Sequence, residues 1–528
     1  MTNDSTKVEV EYDSELDFPD LLERYRLTQG DKIALIQGEQ TRSYAAMIKR
    51  IYGMANGLLA LGVKPGDRVA MLSRNSMAYS EMFAATLLAG ATAVPLQSMV
   101  TADTLRLMLR DSSARVLVLS SEFTHMAEGF LRDQDSVLPG GLLGFDFTDD
   151  RFNDLELWLQ QQSVEAPGVA IDPAGEFNII YSSGTTGVPK GIVHNHSTRQ
   201  ALVKGLLQMG IDGESMTLIT TPLYSNTTIT TWWPTLCAGG TMVLVSKFAA
   251  AEALALVDRW SISHAMFVPV QYDRMMNLKN FARYDLSSLQ MVFCTSAPLR
   301  SALKKQIIEN LPGELIEFYG LTEGGVGTLF IGSIAYEQGK LGSVGPPIPG
   351  STLKTIDEKG NELGHGQTGE IVGRSGSMSD GYLNRDDANA EMFWYDADGT
   401  LFYRSGDVGY LDVDGWLYLS DRKKDMIISG GFNIYATDIE LVVLEHSAVH
   451  EVAVVALPSR EWGETPLAIV VLEEGVTESE EALRSWANER LGKAQRISQL
   501  VFIDELPKSS IGKVLKRQLR ETYAELAK

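Results

Sequence analysis

The sequence predicts an α/β protein in which helices cover both faces of parallel sheets. Short, β-branched apolar runs, such as residues 115–120 and 289–294, are typical of strands buried in a parallel sheet. Between such runs the apolar spacing of amphipathic helices recurs, for example over 44–61 and 250–260. The alternation of these two patterns along most of the chain indicates the α/β class.

The length and patterns of the sequence predict two domains rather than one. It has 528 residues, whereas single cores usually stop growing at about 250–300 residues. From about residue 351, short strands alternate with Gly and Asp turns, which predicts antiparallel hairpins. The charged segment 421–425 then precedes further helix and strand patterns. We therefore predict domains at 1–423 and 424–528, because a polar connector between two complete patterns is a common boundary.

The composition excludes several functional classes. A net charge of −22 disfavours binding to nucleic acid or anionic lipid. The first residues are acidic where a secretory signal would be basic, and two cysteines suit a reducing compartment, so we expect a cytoplasmic protein. The uncharged stretches 82–102 and 215–246 are interrupted by Gly and Pro, so we expect no transmembrane segment.

The segment 181–191, Tyr-Ser-Ser-Gly-Thr-Thr-Gly-Val-Pro-Lys-Gly, predicts a phosphate-binding loop. Its glycines let backbone N–H groups approach an anion, its hydroxyls add donors, and Lys190 adds positive charge. It is not the common P-loop, because Pro189 stands where that motif has Gly before Lys. The segment 364–369 formally matches G-x-G-x-x-G, but it follows a turn and precedes a strand, so we interpret it as a hairpin turn.

Two further segments carry carboxylates suited to a nucleotide. In 318–323, Phe-Tyr-Gly-Leu-Thr-Glu, Glu323 is a hard oxygen ligand suited to Mg²⁺, although a charge at a helix N-terminus is an equal alternative. In 403–407, Tyr-Arg-Ser-Gly-Asp, Asp407 is suited to accept hydrogen bonds from ribose hydroxyls, with Arg422 beside it. A solvated turn is the alternative for this segment.

The fourth segment, 506–513, presents Lys513 in a loop framed by Pro and Gly; alone, it would be interpreted as a surface lysine. In this order and spacing the four segments resemble the acyl-adenylate-forming superfamily of acyl-CoA synthetases, amino-acid-activating domains and beetle luciferases. The resemblance covers nearly the whole chain, which looks most like an acid:CoA ligase. It implies a large N-terminal domain, with parallel sheets sandwiched by helices and a small antiparallel barrel-like subdomain. It also implies a small mobile α+β C-terminal domain.

The resemblance implies a two-step reaction. A carboxylic acid attacks the α-phosphorus of ATP to give acyl-AMP and pyrophosphate, and the thiol of CoA then displaces AMP. ATP, Mg²⁺ and CoA are therefore expected, with Lys513, Thr322 and Glu323 as catalytic residues. The resemblance also implies which residues contact each part of the nucleotide. The β- and γ-phosphates would be bound by Thr185, Thr186, Gly187 and Lys190, the α-phosphate by Thr322, Mg²⁺ by Glu323, the ribose by Asp407 and Arg422, and the adenine by Ser296, Ala297, Pro298 and Tyr319.

The remaining implied roles belong to the C-terminal part of the chain. Lys513 would lie between the acyl carboxylate and the α-phosphate, Lys424 would be the hinge, and Gly430 and Gly431 would line the pantetheine tunnel.

The region 224–233 bears on the identity of the acid. It is uncharged, so the ammonium of an amino-acid substrate would be desolvated without a partner. Trp232 and Trp233 suit the wall of an apolar or aromatic pocket, although ordinary core packing is an equal alternative. The histidine that the family often has after Pro-Leu-Phe is Ser225 here, so Tyr224 or Trp232 is the expected substitute. We expect a monocarboxylic aryl or medium-length aliphatic acid.

Other functions stay open at this point. An acyl-AMP ligase that loads the pantetheine of a carrier protein is the main alternative. A light-emitting oxygenase of the luciferase branch is disfavoured by the C-terminal residues, which lack a peroxisomal tripeptide. A nucleotide-binding scaffold without turnover would not need Lys190, Glu323, Asp407 and Lys513 together. A homodimer is compatible with the sequence, which does not determine the oligomeric state.

Overall fold

The computed structural model describes residues 17–131, 138, 140–182, 189–422, 424–429, 432–460, 462–509 and 512–526. Five residues to which the sequence assigns a role lie outside the described residues: Thr185, Thr186, Gly187, Gly430 and Gly431. The chain divides into two compact units. Unit 1 comprises the described residues of Met1–Gly325, Ile331–Leu341 and Ser375–Glu391, and unit 2 comprises those of Val326–Phe330, Gly342–Arg374 and Met392–Lys528.

The strands are numbered along the chain. They are β1 (Ile33–Gln37), β2 (Gln40–Ser43), β3 (Arg68–Leu72), β4 (Thr92–Pro95), β5 (Val116–Leu119), β6 (Gly141–Gly144), β7 (Asn153–Asp154), β8 (Glu176–Ser182), β9 (Lys190–Asn195), β10 (Met216–Ile219), β11 (Thr241–Leu244), β12 (His264–Phe267), β13 (Met291–Cys294), β14 (Glu314–Gly320), β15 (Gly327–Ile331), β16 (Thr352–Ile356), β17 (Gly369–Arg374), β18 (Gly381–Tyr382), β19 (Phe393–Tyr395), β20 (Leu401–Leu411), β21 (Leu417–Arg422), β22 (Ile427–Ser429), β23 (Phe432–Ile434), β24 (Val449–Ser459), β25 (Gly463–Leu472) and β26 (Gln499–Phe502).

The α-helices are numbered in the same way. They are α1 (Phe18–Thr28), α2 (Tyr44–Ala60), α3 (Met77–Leu88), α4 (Ala102–Asp111), α5 (Thr124–Leu131), α6 (Leu155–Leu159), α7 (His196–Gln208), α8 (Asn226–Ala238), α9 (Ala250–Trp260), α10 (Pro269–Met276), α11 (Ser301–Asn310), α12 (Gly332–Glu337), α13 (Asp386–Met392), α14 (Ala436–Leu444), α15 (Glu480–Asn488) and α16 (Lys516–Thr522). Among the described residues, no helix combines the length and the apolar character that crossing a bilayer requires.

Unit 1 contains two largely parallel sheets. The first has the strand order β18-β9-β8-β4-β3-β5-β6-β7, in which only the pairs made by β9 are antiparallel. The second runs β14-β13-β12-β10-β11-β1-β2 within this unit, and only β1 and β2 are antiparallel. The buried parallel strands predicted from the apolar runs are therefore confirmed, and β5 is buried at every position.

The intervening helices follow from local sequence signals. Helix α2 begins after Ser43, whose hydroxyl accepts a hydrogen bond from the N–H of Ala46, the usual N-cap arrangement. Helix α9 buries Ala253, Leu254 and Val257, which recur at the spacing of one helix face. Both helices occupy the segments in which the sequence predicts them.

An aromatic cluster fixes the position of α8 in unit 1. Phe83 of α3 meets Trp232 edge to face at 4.9 Å between ring centroids, and Phe177 of β8 meets Trp233 in the same way at 5.1 Å. Such geometry is preferred by aromatic pairs in cores. The indole N–H of Trp232 donates to the hydroxyl of Ser80 at 3.1 Å. These contacts hold the middle of α8 against α3 and β8.

Unit 2 contains an antiparallel sheet that confirms the predicted hairpins. It runs β16-β17-β20-β19, and β21 also pairs with β20. The turns at 396–399 and 412–415 connect β19 to β20 and β20 to β21. The segment 364–369 is a turn that leads into β17, in which the N–H of Gly364 donates to the side chain of Gln367. Its interpretation as a hairpin turn rather than a dinucleotide loop is therefore confirmed.

The last part of unit 2 is an α+β assembly. Strands β24 and β25 form a long antiparallel pair, and β26 joins β25 in parallel. Helices α14 and α15 pack on this sheet through an apolar cluster that includes Ile439, Val443, Val454, Val470 and Leu483. The predicted fold class is confirmed: parallel sheets with helices, a small antiparallel subdomain and an α+β C-terminal part. The domain boundary at 423/424 stays a prediction.

Candidate active site

The predicted adenine and metal residues lie at one edge of the second sheet of unit 1. Strands β13 and β14 are parallel neighbours, with Cys294 opposite Glu317. Ser296, Ala297 and Pro298 follow the end of β13, Tyr319 lies near the end of β14, and Thr322 and Glu323 follow β14. Ligands of open α/β sheets bind outside the carboxyl ends of the strands. The structure therefore brings these two segments together where a ligand is expected.

Ser296 has an unusual backbone conformation. Its φ is +84°, in the left-handed region that residues other than glycine rarely adopt. Its hydroxyl shares a hydrogen bond with the hydroxyl of Thr227, in the first turn of α8. Backbone strain of this kind costs about 1–3 kcal/mol and persists where surrounding contacts impose it. The hydrogen bond thus links the predicted adenine loop to the segment predicted to meet the acyl group.

Glu323 is held in a glycine turn. Its carbonyl accepts a hydrogen bond from the N–H of Ser379 at 2.8 Å, and the phenol of Tyr382 donates to its Oε1 at 2.7 Å. Gly324 has φ +73°, and a Cβ atom on it would lie 1.9 Å from the carbonyl oxygen of Ser377. Only glycine fits this turn, so the sequence run that follows Glu323 serves a close backbone contact.

Tyr382 also contacts the predicted phosphate lysine. The Nζ atom of Lys190, at the start of β9, lies 4.9 Å from the centroid of the Tyr382 ring. An ammonium over an aromatic face is attracted by the ring quadrupole. One side chain therefore orients both the candidate phosphate-binding cation and the candidate metal-binding carboxylate.

His194 anchors the backbone of Thr322. Its Nε2 lies 2.7 Å from the carbonyl oxygen of Thr322, which can only accept, so Nε2 carries the proton. Burial, and then the charge of Arg199, keep the pKa of His194 well below its usual value. The neutral imidazole is therefore a fixed donor that holds the turn between Thr322 and Glu323.

The donor set around Glu323 suits Mg²⁺ in the manner usual for nucleotide complexes. Among the described residues, no group of three or more His, Cys, Asp or Glu side chains is placed to enclose a metal ion. Mg²⁺ typically takes one or two carboxylates and completes its shell with phosphate oxygens and water. The oriented carboxylate of Glu323 fits that requirement.

In unit 2, Asp407 and Arg422 face each other across the ladder of β20 and β21. The Nε of Arg422 lies 3.0 Å from Oδ1 of Asp407, whose side chain is 8% exposed. The N–H of Asp407 donates to the hydroxyl of Ser405, which in turn donates to the carbonyl of Ile371. A carboxylate has about four acceptor positions, so this fixed carboxylate is also suited to receive sugar hydroxyls.

Lys513 lies in a tight turn near the end of unit 2. The N–H of Lys513 donates to the hydroxyl of Ser509, and its carbonyl accepts from the N–H of Ser509. An ion pair between Lys508 and Glu451 anchors the same turn. Burial, and then the cations Arg422 and Lys424, lower the pKa of Lys513 to about 8. The turn therefore holds a desolvated ammonium within electrostatic range of Arg422.

The predicted hinge residue, Lys424, is tied to α16. Arg520 donates from Nη1 to the carbonyl oxygen of Lys424 at 3.2 Å and from Nη2 to Oδ1 of Asp425 at 2.8 Å. These two bonds fix the backbone directly after the described end of β21. A backbone rotation at Lys424 would either break these two hydrogen bonds or move α16 together with Lys424 and Asp425.

The predicted acyl-pocket residues are buried. Trp232 and Trp233 are 0% and 4% exposed and belong to the aromatic cluster against α3 and β8. Tyr224 precedes α8 and is 5% exposed. The described contacts of the two indoles are those of core packing, and the assignment of all three residues to an acyl pocket stays a prediction.

The comparisons with known proteins bear on this arrangement. The profile of the "AMP-binding enzyme" family matches residues 22–383, and that of the "AMP-binding enzyme C-terminal domain" matches 438–513. The chain belongs to the AMP-binding enzyme family. The family resemblance predicted from the four motifs is therefore confirmed, and so is the prediction of an AMP-forming acid–thiol ligase that binds ATP and a carboxylic acid.

Curated members of the family resemble the chain over most of its length. A feruloyl-CoA synthase from Amycolatopsis sp is 32% identical over 93% of this chain and 96% of its own. The fatty acid–[acyl-carrier-protein] ligase ScoC from Streptomyces coeruleorubidus is 30% identical over 92% of both chains. The crystal structure of ATP-bound MatB from Rhodopseudomonas palustris has a TM-score of 0.85 at 26% identity, over 96% of this chain and 99% of its own.

The family motifs do not reveal every residue that shapes the site. Tyr382, His194, Arg199 and Asn226 were not predicted from the sequence. Tyr382 is 59 residues from Glu323, and His194 is 128 residues from Thr322, so neither contact has a local pattern. For Arg199, the one available sequence signal is that a charged residue falls on the buried face of α7.

Proposed function

We propose that this AMP-binding enzyme is an ATP-dependent acid:CoA ligase. An oxygen of the acid attacks the α-phosphorus of ATP, which forms acyl-AMP and releases pyrophosphate. The thiol of CoA then attacks the acyl carbon and releases AMP. The observation that carries the proposal is the carboxylate of Glu323, which accepts from the phenol of Tyr382 at 2.7 Å while the ring of Tyr382 lies against the ammonium of Lys190.

The residue roles in the first step follow from charge. Phosphoryl transfer depends mainly on positioning and on stabilising charge as it develops. Lys190 would bind the β- and γ-phosphates and Thr322 the α-phosphate, while Lys513 would bridge the attacking carboxylate and the α-phosphate. Mg²⁺ bound at Glu323 would neutralise phosphate charge. Removing one donor of this kind typically costs about 10²–10³ in rate.

The second step needs a different arrangement of the C-terminal part. We propose that Lys424 is the hinge between domains 1–423 and 424–528, and that Gly430 and Gly431 line the path of the pantetheine. Backbone torsions at a few residues commonly absorb such a rotation. A cytoplasmic location and a homodimer are part of the same hypothesis.

An aryl or medium-length aliphatic acid is the proposed substrate. The segment 224–233 carries no ionisable side chain other than the phenol of Tyr224, so it offers an ammonium group no counter-charge. The relatives named above span an aromatic acid and fatty acids in their names. At about 30% identity this range does not select one acid.

A carrier-protein ligase is the second candidate, supported by the resemblance to ScoC. It differs only in the thiol that accepts the acyl group. The test is ATP–pyrophosphate exchange with a panel of aryl and C4–C12 acids, followed by assays of acyl transfer to CoA or to a phosphopantetheinylated carrier. Exchange without acyl-CoA would favour the carrier, and no exchange with any acid would overturn the proposal.

A further inference from the structure

Arg199 is a buried cation on α7 of unit 1. It is 4% exposed, although arginine is almost never fully buried without a partner. Its Nε donates to Oδ1 of Asn178 at 2.9 Å, and its Nη1 donates to Oδ1 of Asn226 at 2.8 Å. Both partners are neutral amides, so they satisfy hydrogen bonds but not the charge.

No counter-charge accompanies this guanidinium in the part of the chain that the structure describes. None of the ion pairs found there includes Arg199, and its Nη2 has no hydrogen-bond partner there. Its guanidinium carbon lies 5.9 Å from the centroid of Phe177. Burial alone lowers the pKa of Arg199 to about 9. An isolated charge in such surroundings is costly unless a ligand or partner compensates it.

The charge lies directly behind the segment predicted to meet the acyl group. Asn226, which accepts from Arg199, is the first residue of α8 and is half-buried. The next residue, Thr227, is hydrogen-bonded to Ser296 of the predicted adenine loop. An amide whose oxygen accepts from an arginine still has two N–H donors. One side chain, that of Asn226, therefore lies between the guanidinium of Arg199 and the predicted acyl site.

We propose that Asn226 and Arg199 form a subsite for a second carboxylate on the acid substrate. Asn226 donates its amide N–H to that carboxylate. Arg199 fixes the orientation of the amide and supplies the compensating positive charge. The substrate class is then a dicarboxylic acid with an aryl or medium-length aliphatic spacer, rather than the monocarboxylic acid expected from the sequence. This proposal deepens the proposed function and rests on it.

The proposal makes a prediction about matched acids. The ATP–pyrophosphate exchange assay compares kcat/KM for hexanoic against adipic acid, octanoic against suberic acid, and benzoic against terephthalic acid. The dicarboxylic member of at least one pair should exceed its monocarboxylic partner at least tenfold. Exchange with equal kcat/KM in every pair, or a preference for the monocarboxylic acids, would overturn the subsite while leaving the ligase proposal intact. No exchange with any acid would overturn the ligase proposal instead.

The variants test the two residues separately. Arg199→Gln should reduce the ratio of dicarboxylic to monocarboxylic kcat/KM at least tenfold, and Arg199→Lys should restore part of it. Arg283→Gln, which changes an exposed arginine, is the matched control and should keep the ratio. An unchanged ratio in a folded Arg199→Gln protein contradicts the role of the charge.

Asn226→Asp decides the question even where Arg199→Gln does not fold. The new carboxylate pairs with Arg199, so the thermal midpoint should be maintained or raised. The same carboxylate repels the second carboxylate of the substrate, so the preference for dicarboxylic acids should be lost. A retained preference in Asn226→Asp would overturn the subsite.

Discussion

Tyr382 donates its phenolic hydrogen bond to Oε1 of Glu323 at 2.7 Å, and this contact joins two segments of unit 1 that are 59 residues apart. The ring of the same tyrosine lies under the ammonium of Lys190. The hydroxyl contacts Glu323 and the ring contacts Lys190, so a substitution that removes only the hydroxyl tests the first contact alone.

Tyr382→Phe should weaken the binding of Mg²⁺ with less effect on Lys190, because it removes the hydroxyl and keeps the ring. Hydrogen bonds to charged groups contribute about 1.5–3 kcal/mol. We therefore expect the Mg²⁺ concentration for half-maximal exchange to rise roughly 10-fold or more. Titration calorimetry of ATP with and without Mg²⁺ provides a readout independent of turnover.

Tyr336→Phe is the control for this variant, since Tyr336 donates to Glu309 at 2.9 Å on an exposed surface of unit 1. It should leave the Mg²⁺ dependence unchanged. Equal Mg²⁺ dependence in Tyr382→Phe and the wild type would contradict a role of Tyr382 at the proposed metal site.

Adenylation should decline as the pH rises through about 8. The pKa of Lys513 is lowered to about 8, so the ammonium is present below that pH and is lost above it. The step proposed for Lys513 uses the charged form, so kcat/KM for exchange should fall up to tenfold per pH unit on the alkaline side. Lys513→Ala should nearly abolish exchange and spare thioester formation from supplied acyl-AMP. An unchanged alkaline limb in the residual activity of Lys513→Ala would assign that limb to another group.

Arg422→Leu should raise the KM for ATP. It leaves the nearly buried carboxylate of Asp407 without the guanidinium that orients it, and losing one partner of such a pair is costly. We expect a rise of roughly tenfold in KM with a smaller change in kcat. Arg404→Gln is the control, because Arg404 lies on β20, the strand of Asp407, and pairs with Glu370 at 2.9 Å. Equal effects of the two substitutions would indicate a general loss of sheet stability.

The sequence predicts those features whose signals are local. Buried parallel strands need runs of apolar residues, and the run 115–120 contains β5 for that reason. Lys513 lies in a turn that begins at Ser509, and Asp407 lies in β20 directly after Ser405 and Gly406. Their Ser and Gly neighbours have backbone roles, so these neighbourhoods are recognisable. Each of these features is encoded within about ten residues of chain.

The contacts that orient the site residues have no such local signal. Tyr382 and Arg199 acquire their partners through the pairing of distant strands and helices. The pair Trp232 and Trp233 illustrates a related ambiguity, because a sequence pattern does not distinguish an aromatic pocket wall from an aromatic core. Their burial against α3 is a property of the tertiary structure.

Breaking the buried ion pair of Lys304 and Glu317 should destabilise unit 1 and the edge that carries the adenine candidates. The Nζ of Lys304, in α11, lies 2.5 Å from Oε2 of Glu317, in β14, and the two side chains are 2% and 3% exposed. Lys304→Met would leave a buried carboxylate unpaired and should lower the free energy of unfolding by about 3–5 kcal/mol. The double variant Lys304→Met with Glu317→Leu should recover most of this loss, because it removes both charges. Urea unfolding measures the free energy of unfolding of both variants. The control is Lys305→Met, which changes an exposed residue on the same helix and should lower the free energy of unfolding by less than about 1 kcal/mol. A loss in the double variant as large as that in Lys304→Met would show that packing, rather than an uncompensated charge, determines stability at this position.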